Sequence, residues 1–224
     1  MKDDNNENHR GNKRPFPRNK ELTKQRFLYA VGHILRTEGF TGLGVNNIER
    51  HAMQAKRNIY DHFGTPERLI EEYIFGNDYW ISHLEEMKKI TEDNQNGSLK
   101  DIVTALIENQ FAFFSRSKEM QEIILWEISQ KNDLVSSLAR TRELEASTLL
   151  EETDGHFENS GVNFRAVSSI LISAIYYLVL HAKSADSTFC GVDIRSQKGM
   201  NEILATIKQM LGWAFEAAEK KIGE

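Results

Sequence analysis

Apolar residues in this chain recur at intervals of three and four positions in one segment after another, and nowhere do they alternate with polar ones over the length of a strand. That spacing is the helical period, and it leaves no material for a sheet. Only three prolines interrupt 224 residues. The expected fold is therefore all-α, with about nine helices.

The first helix is predicted from Lys20 to Glu38, on Phe27, Val31, Ile34 and Leu35, with Gly39 stopping it. GFTGLG, residues 39–44, then makes a turn; it follows a helix and lacks the spacing of a nucleotide loop. Two short helices follow near 45–52 and 56–62. Thr65 is expected to cap a long fourth helix, with Pro66 where a missing N–H costs nothing and Glu67 near the positive end of the dipole. Its core face reads Leu69, Ile70, Tyr73, Ile74, Trp80, Ile81 and Leu84, fading after Ile90 into the polar loop TEDNQNG. Five more helices are predicted near 98–116, 118–130, 132–153, 163–183 and 199–221. No internal repeat is visible.

Charge divides the chain. Residues 9–68 carry a balance of +7 and residues 69–224 one of −10, within a net charge of −5. A basic front on an acidic remainder suits a molecule of which one end alone meets a polyanion. The single cysteine, Cys190, excludes an internal disulfide and implies a reducing, cytoplasmic setting. The polar start MKDDNNENHRGNKR has no apolar core of a secretory signal. VSSILISAIYYLVLH, residues 167–181, is apolar but short for a membrane span of roughly 20 residues, and is read as a helix buried in a bundle or dimer.

The stretch NNIERHAMQAKRNIYDHF, residues 46–63, holds two apolar rhythms, Ile48 with Ala52 and Ile59 with Phe63, broken by a polar gap. Neither piece is long enough to be helical alone in water. Docked on the first helix, the pair makes a helix-turn-helix whose second member can enter a DNA major groove. Lys56, Arg57, Asn58, Tyr60 and His62 supply the forked donors and phosphate-holding groups such a helix requires. A solvated polar face could carry the same residues; the basic arm and the charge division favour DNA.

From Thr23 to about Ile74 the sequence resembles the TetR family of transcriptional regulators. The residues that carry this are Ala30, Gly39-Phe40, Val45, Ile48, Ala52, Lys56, Ile59-Tyr60, His62-Phe63 and Glu67 to Leu69. NIYDHFGTPERLIEEYI is similar to a subgroup with Phe-Gly at this corner, and LWEISQKNDLVSSLARTRE and FCGVDIRSQKG are similar to its ligand domain. The chain departs from the family's pattern at Met53 in place of glycine, Gln54 in place of valine, Ala55 in place of serine and Pro66 in place of lysine. Met53 is thereby expected at a positive φ that strains a side chain, and Ala55 lacks a helix cap.

The resemblance implies three regions: a disordered basic arm (1–18), a helix-turn-helix DNA-binding domain (19–64) and a helical regulatory and dimerisation domain (65–224). It implies a homodimeric repressor, paired through its last two helices, that binds a palindromic operator in double-stranded DNA and is released by an unknown small molecule. Arg57 and Asn58 would read bases. Lys56, Tyr60 and His62 would hold phosphates, with Asn46 and Asn47 beside them, and Arg10, Lys13, Arg14 and Arg18 of the arm would add salt-dependent affinity or reach a minor groove. Candidate ligand-pocket residues are Trp80, Phe111, Phe114, Trp126, Tyr177 and His181. No spacing suggests a metal, cofactor or catalytic cluster, so an enzyme is not expected. The alternative is a helical protein-interaction module, derived from such a regulator, that has lost specific operator binding.

Overall fold

The computed structural model describes residues 20–82 and 98–222. Within them lie ten α-helices, one 3-10 turn and no strand, so the fold is all-α. The arm with Arg10, Lys13, Arg14 and Arg18, and the positions of Leu84, Ile90 and TEDNQNG, lie outside the described residues. The helices are α1 (Lys20–Glu38), α2 (Val45–Ala52), α3 (Arg57–Phe63), α4 (Pro66–Phe75) and α5 (Tyr79–Ser82), then α6 (Leu99–Arg116), α7 (Lys118–Ser129), α8 (Asp133–Phe157), α9 (Phe164–Ser184) and α10 (Gln197–Ile222).

Helix starts follow local chemistry. The Thr65 hydroxyl accepts the Arg68 N–H at 3.2 Å, as its place before Pro66 predicts. Ser98 and Asp101 form a reciprocal capping box at α6, and Ser117, Asn132 and Asn163 cap α7, α8 and α9. Each such cap satisfies a backbone donor and is worth about 1 kcal/mol.

The predicted long fourth helix is broken. Gly76 ends α4, the Asn77 amide donates to the Tyr73 carbonyl at 2.7 Å, and Asp78 Oδ1 accepts the Trp80 N–H to start α5. Gly-Asn-Asp is helix-stopping chemistry that the apolar period either side of it masks.

Two apolar clusters hold the molecule. The first joins Phe27, Val31, Ile34 and Leu35 of α1 to Ile48, Ala52, Ile59 and Phe63 of the turn unit and to Leu69 and Ile74 of α4. It also takes in Ile123 and Trp126 of α7 and Val135 and Leu138 of α8. Gly32 makes the α1–α4 approach possible: a Cβ there would lie 2.2 Å from the Tyr73 hydroxyl. The second cluster lies among α6, α7, α9, α10 and the end of α8 around Phe114, Phe157, Ile175 and Leu211.

The α9 helix is only partly covered. At 21 residues it is long and apolar enough to cross a membrane by length and composition, and a third of its most apolar stretch is buried. Phe164, Leu171, Ile175 and Val179 face inward. Ile170 and Tyr177 stand 63% and 54% exposed, so within one chain the helix is covered on one side only.

Candidate nucleic-acid interface and ligand cavity

The turn between α2 and α3 closes on Met53, at φ 49° and ψ 40°, the left-handed conformation expected of it. A non-glycine residue there is held at a cost of about 1–2 kcal/mol. Its side chain is exposed, so nothing hydrophobic offsets the strain. The α3 start lacks a cap from Ala55, but the Glu49 carboxylate of α2 accepts the Lys56 backbone N–H at 3.0 Å. One donor at the start of α3 is thus satisfied across the turn.

Ile59 and Phe63 bury the inner face of α3, and the Phe63 ring meets Phe27 edge-on at 6.2 Å. Lys56, Arg57 and Tyr60 are exposed, and among the described residues Arg57 makes a loose contact with Asp61 at 4.0 Å. Asn46 is exposed as well, and His62 is half-buried.

One of the predicted DNA contacts is corrected, and a second is engaged within the protein. Asn58 is only 8% exposed, beside Ile59 on the packed side of α3, so it does not face outward to read a base. The Asn47 amide donates to Glu38 at 2.8 Å and to the Gly42 carbonyl at 2.9 Å, tying α2 to the end of α1. His51 joins the same knot, its Nε2 2.8 Å from Glu38 Oε1. Hydrogen bonds from Asn47 and His51 hold the Glu38 carboxyl below the usual glutamate range.

This unit is joined to the rest of the chain by α7. Phe40, in the 3-10 turn after α1, stacks on Trp126 at 5.7 Å, and its N–H donates to Glu122, which also takes Lys183 of α9 at 2.5 Å. Arg36 of α1 pairs with Glu119.

A cavity of about 670 Å³ opens between α8 and α9 over a floor from α6. That volume suits a small ligand. Of the six aromatic residues predicted for a pocket, Trp80 alone lines it. Phe111 and Phe114 are buried in the second cluster and Trp126 in the first, where each fills space rather than surrounding it. Tyr177 and His181 lie on the outer side of α9, grouped with Phe189 at 5.2–5.9 Å.

Small side chains make the cavity: Ala139 and Ala146 on α8 oppose Ser168 and Ser173 on α9. The apolar wall is Val103, Leu106, Ile107, Leu149, Leu150 and Ile172. At one end sits a charged group that sequence reading missed. Arg142 Nε donates to the fully buried Asp78 at 2.8 Å and Nη1 to Glu127 at 2.6 Å; Nη2 lies 2.7 Å from Asp78 Oδ2, out of line for a hydrogen bond. Burial opposes the Arg142 charge, yet Asp78 and Glu127 outweigh it and raise its pKa. Tyr176, whose hydroxyl accepts from Gln110 at 3.0 Å, has its pKa pushed up by burial, so the phenol stays neutral.

No protein-family model matches the chain, and no curated protein matches it either.

Proposed function

We propose that this protein is a DNA-binding transcriptional regulator of the TetR type: a cytoplasmic homodimeric repressor, not an enzyme, that binds a palindromic operator and is released by a small molecule. One observation carries the reading. A short helix, α3, is fixed from behind by Ile59 and Phe63 and turns Lys56, Arg57 and Tyr60 to solvent. Those are the groups that grip phosphates and fork onto base edges. With Asn58 turned inward, Arg57 is left as the main base reader.

Pairing through α9 and α10 is supported by their uncovered apolar side chains. Ile170 and Tyr177 on α9, seven residues apart on one face, and Met210 and Trp213 on α10, three apart, are exposed. Such groups in a row favour a second apolar surface over water. A cavity in the adjoining bundle gives a ligand a place to bias one subunit arrangement over another, and DNA affinity would then change by its differential affinity for the two.

The test is a footprint on promoter fragments, above all any palindrome near the protein's own gene, at physiological salt. Protection of a palindrome is expected, with Arg57→Ala relaxing sequence preference and Lys56→Ala weakening all sequences alike. Equal grip on scrambled and genomic fragments would overturn the reading. The second reading, an interaction module without a specific operator, draws support from the inward Asn58 and the occupied Asn47, which shorten the list of groups available to bases.

A further inference from the structure

Resting on the reading of the α8–α9 cavity as a regulator's ligand site, its shape and polar groups narrow the ligand's chemistry. The lining residues run from Ala139 to Thr153 on α8 and from Phe164 to Tyr176 on α9. At 1.5 Å per residue these spans are ~21 Å and ~18 Å, so the cavity is a long slot. Its middle is apolar, through Leu106, Ile107, Leu149 and Ile172. Such a wall suits a hydrocarbon chain laid along it.

Two features decide what that chain can carry. The first is that the charges of the wall are already met. Glu127 takes Arg142 Nη1 at 2.6 Å, and Arg165 forks onto Asp154 at 2.9–3.0 Å. Arg140 and Glu143, of opposite sign, are exposed to water, which screens them. An ion entering the slot would shed its hydration and find each charge of the wall either paired or in water.

The second is a buried donor. Arg142 lines the slot with 11% of its side chain exposed, and its Nη2 has no hydrogen-bond partner among the described residues. Asp78 Oδ2 stands 2.7 Å from that nitrogen but out of line. A guanidinium N–H can only donate, so the group that completes it is an acceptor, and an ammonium would set donor against donor. An ionised acceptor is disfavoured too. The Asp78 and Glu127 carboxylates already lie within 2.8 Å of the same guanidinium and repel a third. An uncharged oxygen meets both demands.

We infer that the slot takes an elongated, uncharged molecule, a hydrocarbon chain bearing a carbonyl or hydroxyl oxygen, with the chain along α8 and α9 and the oxygen accepting from Arg142. Titration calorimetry near neutrality with decan-2-one, decylamine hydrochloride and sodium decanoate, without DNA, tests it. At that pH the amine and the acid are both ionised, and the three chains are alike in length. The ketone is expected to bind about tenfold or more tightly than either ion, the order of a hydrogen bond from a charged donor. Ala146→Phe, which fills the slot, should weaken the ketone by about that factor or more. Arg142→Lys keeps a cation for Asp78 and Glu127 but loses the second nitrogen of the fork, and should weaken the ketone to a similar degree. Equal or tighter binding of either ion, no binding of the ketone, or undiminished ketone binding by Ala146→Phe or Arg142→Lys would overturn the inference. Should Arg142→Lys melt early, the ranking of the three ligands and Ala146→Phe decide the matter. Since DNA is absent, these results are separate from the footprint: ketone binding with no operator leaves the ligand class standing and removes the regulator reading.

Discussion

The turn unit and the cavity bundle treat their polar residues in opposite ways. In α1–α3 the charged side chains lie at the surface, and the buried set is almost wholly apolar, with Asn58 the exception. Between α4 and α9 a carboxylate with no exposed surface, Asp78, is held by a guanidinium reaching from 64 residues away. The first arrangement is built from neighbours in sequence and tolerates surface change. The second depends on partners the chain must bring together, and losing one removes a charge that the other was placed to meet.

That contrast is open to measurement. The largest effect should come from Arg142→Ala, which takes the guanidinium away from the buried Asp78 carboxylate; about 3–5 kcal/mol of stability should be lost in urea unfolding. A loss under about 1 kcal/mol would mean that the pair is solvated. Gly32→Ala comes next. Its methyl would press on the Tyr73 ring, and overpacking of this kind costs about 1–3 kcal/mol. Met53→Gly should go the other way, raising the unfolding midpoint by the equivalent of about 1 kcal/mol as left-handed strain is relieved. The smallest change is in acid. The folded Glu38 carboxyl titrates below its unfolded value, so its contribution is present above the unfolded value and lost as pH falls through the folded one. Glu38→Gln should therefore melt lower than the parent near neutrality, with the gap closing in strong acid; a constant gap would show that its ionised form contributes nothing.

What the sequence made legible follows the same division. Periodicity and punctuation are local, so α1, from Lys20 to Glu38, and α2, from Val45 to Ala52, can be read residue by residue. The Met53 conformation was legible for a like reason: a tight turn between two short helices has few ways to close. Asn58 was misread because residue type was weighed above angle; one position before Ile59 and four before His62, it belongs to the flank of the packed stripe. The break before α5 was hidden because apolar spacing resumes nearly in phase after Gly76. Pocket residues were sought among large aromatics, whereas a cavity forms where large side chains are missing. The available signal was Ala139 with Ala146 and the serines of VSSILIS. The Asp78–Arg142 pair had no local signal at all, since nothing near either residue announces a partner so far along the chain.

Ile123 and Trp126 belong to the same apolar cluster as Phe27 and Ile59, although they lie on α7, more than fifty residues beyond α3. The front of the molecule is accordingly not a detachable head. A fragment severed after Gly64 would lose the Trp126 ring against which Phe40 rests, and water would enter the seam. Any tilt or slide of α7 must also be absorbed where Phe40 leans on it, since a close-packed interior has no slack to take up the movement.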